Sequence, residues 1–184
     1  MNQSADKPSF KDVSAENWLE PDPLMAVMVN RDRRDGSISS VIGTDWIRFV
    51  NDLPVSPSVP QEVHTAFMFA TGAIGYAYFY YPIFTIVSQQ VLRVADFAVD
   101  KLFERLGLKP ILSFERRLAT LRQQGLLTEA QANRWGGIRH LRNKATHPAW
   151  QQNWGLAMSL DMIRIVAEAI SDLPWPSAMT DADQ

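Results

Sequence analysis

Apolar residues are distributed in two regimes along the chain. Up to about residue 57 they are scattered among polar and charged positions, with one short apolar run, LMAVMV, before the turn-like RDRRDGS. That pairing fits a small hairpin or an irregular arm. TDWIRFVNDL predicts a short helix capped by Thr44 or Asp45, and LPVSPSVP, with three prolines, reads as a linker. From residue 58 a helical period sets in. Ser58 and Gln61, with Pro60 between them, carry the pattern of a helix start and predict a helix over 60–80. Pro82 starts or kinks the next one, whose Ile83, Val87, Val91, Val94, Ala98, Leu102 and Leu106 step by three and four along one face. Gly107 and Pro110 stop it. Leu112, Leu118 and Leu121 mark a shorter helix that ends near Gly125. Thr128 and Gln131 form a capping-box pair that opens a helix running to His147, where Pro148 ends it. Leu156, Leu160, Ile163, Ala167, Ile170 and Leu173 define a last amphipathic helix, closed by PWP.

The expected fold is therefore all-α: an up-down bundle of about five helices with a less regular N-terminal arm. The expected organisation is an arm and linker with a short helix over 1–57, the bundle over 58–175 and a disordered tail over 176–184.

One stretch competes with a purely globular reading. No charged residue occurs between 65 and 92, a length that can span a bilayer. Against a span, Gln89 and Gln90 are polar, Pro82 lies inside, and Tyr76, Tyr78, Tyr80 and Tyr81 sit mid-stretch rather than at two interfaces. The stretch reads instead as a buried helix pair, or as a pair forming the face of a homodimer. Ala70, Thr71, Gly72, Ala73 and Gly75 are small enough to admit another helix closely. The N-terminus lacks the apolar run of a signal peptide, and the absence of cysteine suits a cytoplasmic setting.

Charge changes the picture more than composition does. Ten Lys/Arg face only three acids between 101 and 144, a surplus of seven inside a chain whose net charge is −2. A basic segment in an acidic protein implies either an anionic partner or internal ion pairing with the acidic remainder.

The segment RHLRNKATHP concentrates this charge at a helix end. Ile138, Leu141 and Ala145 share one face, while Arg139, His140, Arg142, Asn143, Thr146 and His147 spread over a wide polar arc. His147 stands by the carbonyl end of the helix, which favours cations, and histidine exchanges protons near neutral pH. Arg142 offers a forked pair of donors that matches a phosphate. Asn143 can bond backbone or phosphate. The plain reading is a helix C-terminus whose cations satisfy the last carbonyls.

Arg142-Asn143-Lys144-Ala145-Thr146-His147 resembles the signature of the HEPN domain superfamily: an arginine followed by a polar residue, then a histidine a little over one helical turn later. The setting agrees, because the motif closes the penultimate helix of the expected bundle. The resemblance covers roughly 60–173. It implies an all-α domain that pairs as a homodimer, bringing two motifs together across a cleft. It further implies a metal-independent endoribonuclease of a toxin–antitoxin or defence system, with an antitoxin or other protein as partner. The alternative is a non-catalytic module that holds RNA, a nucleotide or a protein.

On the catalytic reading His147 is the acid/base, Arg142 the phosphate clamp and Asn143 their orienting neighbour. Arg139, His140 and Lys144 then contact the RNA backbone. Arg93 and Asp96, polar residues at i and i+3 on the second bundle helix, either line the site or form an ion pair with the motif helix.

Other chemistry finds little support. His140 and His147 have no nearby carboxylate after Glu129, so no metal is expected. No Walker or dinucleotide glycine pattern occurs, so no nucleotide cofactor is expected. Gly136-Gly137 reads as a close-packing or kink point. Trp135, Trp150, Trp154 and Trp175 serve either core packing or base stacking.

Overall fold

The computed structural model describes residues 10–26, 28–31, 34–40, 43–51, 55–147 and 154–176. Pro148, Trp150 and the expected tail beyond Pro176 lie outside the described residues.

Among these the protein is all-α apart from one small hairpin. In chain order the elements are α1 (Pro23–Ala26), β1 (Val29–Arg31), β2 (Ile38–Ser40), α2 (Gly43–Asn51), α3 (Gln61–Gly72), a 3-10 helix (Ala73–Tyr78), α4 (Ile83–Arg105), α5 (Phe114–Gln123), α6 (Glu129–Ala145) and α7 (Leu156–Ser171). The hairpin pairs β1 and β2 antiparallel, Val29 opposite Ser40.

The bundle is built round α4, which α3, α5, α6 and α7 all touch. Its long apolar face supplies buried Val87, Val91, Val94, Ala98 and Leu102, as its period requires. Neighbouring helices alternate in direction. An ion pair from Glu62 to Arg105 joins the start of α3 to the end of α4. Gln131 and Arg134, early in α6, bond Asp172 just beyond α7.

Several boundaries differ from the sequence expectation, each for a local reason. The helix expected over 60–80 is α-helical only to Gly72. It then tightens into the 3-10 segment, because α2 packs across it. The Trp46 indole donates to the Ile74 carbonyl at 3.1 Å, and a Cβ on Gly75 would come within 3.2 Å of the Ile47 side chain. Gly75 thus admits a helix, as its size suggested. This break divides the uncharged stretch, and no described helix is long and apolar enough to cross a membrane.

Ser58 does not cap α3. Its hydroxyl pairs with that of Ser56, and Pro60 holds the N-cap position without a side-chain bond. Leu112 is outside α5 and fully exposed, since Ser113 takes the cap and accepts from the Arg116 amide. The Thr128–Gln131 capping box forms in both directions. At its other end α6 stops at Ala145, two residues short of His147. The Thr146 hydroxyl turns back to the Arg142 and Asn143 carbonyls at 3.2 and 3.0 Å, taking acceptors that further helical turns would use. Gly125, at φ 70°, ends α5 as expected, with the Leu126 amide donating to the Leu121 carbonyl.

The described part of the N-terminal region is fastened to the bundle. Asp22 is fully buried, and its carboxylate accepts from the Tyr81 amide at 2.9 Å. Phe10 stacks on Tyr81, and the Ser56 amide donates to the Ser171 hydroxyl.

Candidate functional site

Arg142 leaves α6 one turn before its end and points toward α4. Its Nη2 donates to Asp96 Oδ2 at 3.0 Å. The other oxygen of Asp96 is taken by Arg117 of α5, which also pairs with Asp100 one turn further along α4. Two carboxylates four residues apart on α4 therefore meet two guanidiniums from α5 and α6. The side chains are 7% exposed for Arg117, 20% for Asp96 and 34% for Arg142.

Arg142 uses its donors sparingly. Nη1 reaches only Asn143 Oδ1, at 3.4 Å, and its buried Nε has no partner. A guanidinium offers five donors. Arg142 is thus held by one good bond in a place that leaves one N–H unmet.

Arg93 and Asp96 come together with Phe97, Asp100 and Arg117 around a shallow depression of about 250 Å³. Arg93 is exposed and makes no ion pair with a described residue. Around Asp96 and Asp100 there are thus three guanidiniums, those of Arg93, Arg117 and Arg142. The local surplus is one positive charge. Of the two alternatives foreseen for Arg93 and Asp96, Asp96 forms the ion pair with the motif helix, while the depression that both residues line contains no residue of the motif.

The remaining candidates disperse. Arg139 pairs with Glu115 at 2.5 Å and ties α6 to the first turn of α5. That pairing engages one nitrogen of its guanidinium. His140, Asn143 and His147 are exposed, and Lys144 is half-buried. His147 follows the helix end, its amide donating to the Lys144 carbonyl at 3.0 Å. Asn143, with only the long contact to Arg142, holds that side chain weakly.

Gly136 and Gly137 are not close-packing points. A Cβ on either would meet nothing within 4 Å, and α6 runs through them unbroken. Gly137 instead leaves bare backbone beside a groove of about 620 Å³ between α6 and α7, lined by Leu141, Trp154, Met158, Met162 and Ile165. Its charged rim residues are already paired, Arg134 with Asp172 and Asp161 with Arg164. Of the four tryptophans singled out, the three among the described residues pack rather than present faces for stacking. Trp135 is buried edge-on to Phe114, Trp154 is buried, and the half-buried Trp175 donates to the Ile170 carbonyl at 2.9 Å. Among the described residues no three His, Asp or Glu side chains gather as a metal site.

Sequence reasoning missed Arg117 and Asp100. Arg117 lies at a core position of α5, between buried Phe114 and Leu121. An arginine on the apolar period, facing two acids spaced i and i+4 on another helix, is the signal that marks such a network.

No family model, curated protein or solved structure matches the chain.

Proposed function

We propose that the chain is a HEPN-like, metal-independent endoribonuclease of the cytoplasm that works as a homodimer, its site made from two copies of Arg142 and His147. The observation that carries this reading is Arg142 itself: a guanidinium at the rim of a positively charged cluster, held by one good bond, five residues before an exposed histidine. RNA cleavage through the ribose 2′-hydroxyl needs a base, an acid and a positive group for the phosphorane. Each chain supplies one His147 and one Arg142, so two chains supply the full set. Lys144 and His140 then contact the RNA backbone, and Arg93 extends the positive rim.

The dimer face is the uncharged helix pair. Phe69 is 82% exposed, and Met68, Tyr76 and Ile86 are also exposed, an apolar display that a lone domain leaves to water at a cost. A protein antitoxin is the further partner this reading implies. Light scattering at tens of micromolar should give a dimer; a monomer argues against it.

The enzymatic test is cleavage of single-stranded RNA in excess EDTA. His147→Ala should slow it by about a hundredfold or more, the usual scale for a lost acid/base group. Arg142→Ala should cost a comparable factor, and Arg142→Lys should rescue it poorly. Should RNA bind to the wild type but stay intact, the non-catalytic module is the correct reading. The ion pairs that Arg142 and Arg139 already make within the bundle favour that alternative.

A further inference from the structure

We infer that Arg117 is a positioning residue: by holding Asp96 permanently, it allows Arg142 to leave that carboxylate and take a phosphate of a single-stranded RNA. The inference rests on the reading of Arg142 as the phosphate-holding group.

The geometry is a competition for one carboxylate. Asp96 is mostly buried, with one oxygen on Arg142 and the other on Arg117. With Arg142 as its sole partner, departure of Arg142 would strand a buried anion, a costly state. Arg142 would then be locked inward and useless to a ligand. Arg117 removes that penalty. It is almost fully buried on α5, where it borders the depression, and it spans Asp96 and Asp100. Asp100 is more than half exposed, so water shares its charge. Arg117 can therefore keep Asp96 neutralised while Arg142 swings out.

The inward position of Arg142 also carries its own penalty, since its buried Nε has no acceptor there. Outward rotation returns that donor to water or gives it to a phosphate oxygen. The same arithmetic sets the ligand charge. Three guanidiniums against two carboxylates leave one positive charge, which suits a single phosphodiester of the RNA backbone.

The test is binding of a labelled 2′-O-methyl single-stranded RNA, which keeps the phosphates and lacks the free hydroxyl. Wild type should bind, and Arg142→Ala should lose most of that affinity. Arg117→Met should weaken binding about tenfold, because Asp96 then captures Arg142. Adding Asp96→Asn to Arg117→Met should restore binding to near the wild-type value, since the trap is gone. A residue that merely held α5 in place gives no such rescue. Asp96→Asn alone should bind at least as tightly as wild type. Unchanged binding in Arg117→Met, or a double variant as weak as Arg117→Met, overturns the inference. If Arg117→Met does not fold by circular dichroism, Asp96→Asn alone decides, and weaker binding there overturns it. If wild type does not bind, or Arg142→Ala binds as wild type does, the phosphate-clamp reading itself fails and the inference falls with it.

Discussion

The two sides of α4 are built on different physical terms. Toward α3 and α7 the contact is a dry seam in which Val63, Phe67, Ile163, Val166 and Ile170 are buried. Toward α5 and α6 the seam also holds apolar residues, Phe114, Leu121, Trp135 and Ile138, but four charged groups run through it. Burial of apolar surface stabilises without further conditions. A partly buried ion network has to offset the desolvation of every member, and it seldom stabilises more than apolar packing of the same volume. Stability therefore gives a weak reason for the charged seam, and a use for its charges gives a stronger one. The dry seam makes the scaffold, and the charged seam holds and orients Arg142.

Substitutions on the two sides sharpen this contrast. The largest loss is expected in the dry seam. Phe67 is wholly buried on α3, and Phe67→Ala should cost about 3–5 kcal/mol in denaturant unfolding, from lost transfer energy and the cavity left behind. A loss below about 1 kcal/mol would mean that α3 packs loosely. In the charged seam, Arg117→Met should cost about 2–3 kcal/mol, less than a fully buried pair because Asp100 is half in water. Adding Asp96→Asn should recover most of that loss. An additive double variant would contradict the coupling between the two residues.

The smallest effect belongs to the surface clasp between α3 and α4. The Glu62 carboxyl is held below the ordinary glutamate range, first by its own amide at the helix start and then by the Arg105 guanidinium. A lowered folded-state value means that the stabilisation is fully present above the unfolded-state value near 4.3 and lost as pH falls through the folded one. Both side chains are well exposed, so Glu62→Gln should cost only about 0.5 kcal/mol at neutral pH. The difference between the two proteins should vanish in strong acid, and a difference that grows there contradicts the assignment.

The dry seam was legible in the sequence because its cause is periodic. Val87, Val91, Val94, Ala98 and Leu102 recur at helical spacing, and burial follows. The capping box at Thr128 and the stop at Gly125 were legible because each is a local device with its own residue types. Most of what escaped was set by distant partners. The 3-10 break after Gly72 arises from α2 lying across Gly75, which no local pattern reports. Ser58 looked like a cap, but Ser56 takes its hydroxyl. Of the site, Arg142 and Asp96 could be named from their helices and their pairing was one foreseen alternative. Arg117 was invisible, since an arginine reads as surface until two carboxylates on another helix give it a reason to be inside. The pairing of Arg139 was unforeseen for the same reason, its partner Glu115 lying on a different helix.

On the proposed reading, Arg142 and His147 cleave RNA through a neighbouring 2′-hydroxyl without metal. An oligodeoxynucleotide containing a single ribonucleotide tests it most directly, incubated in excess EDTA with wild-type protein and with His147→Ala. Wild type should cut only on the 3′ side of the lone ribose and leave a 2′,3′-cyclic phosphate or its hydrolysed form, and His147→Ala should leave the strand intact over the same period. Cleavage at deoxy positions, a dependence on added metal, or equal cutting by His147→Ala would contradict it.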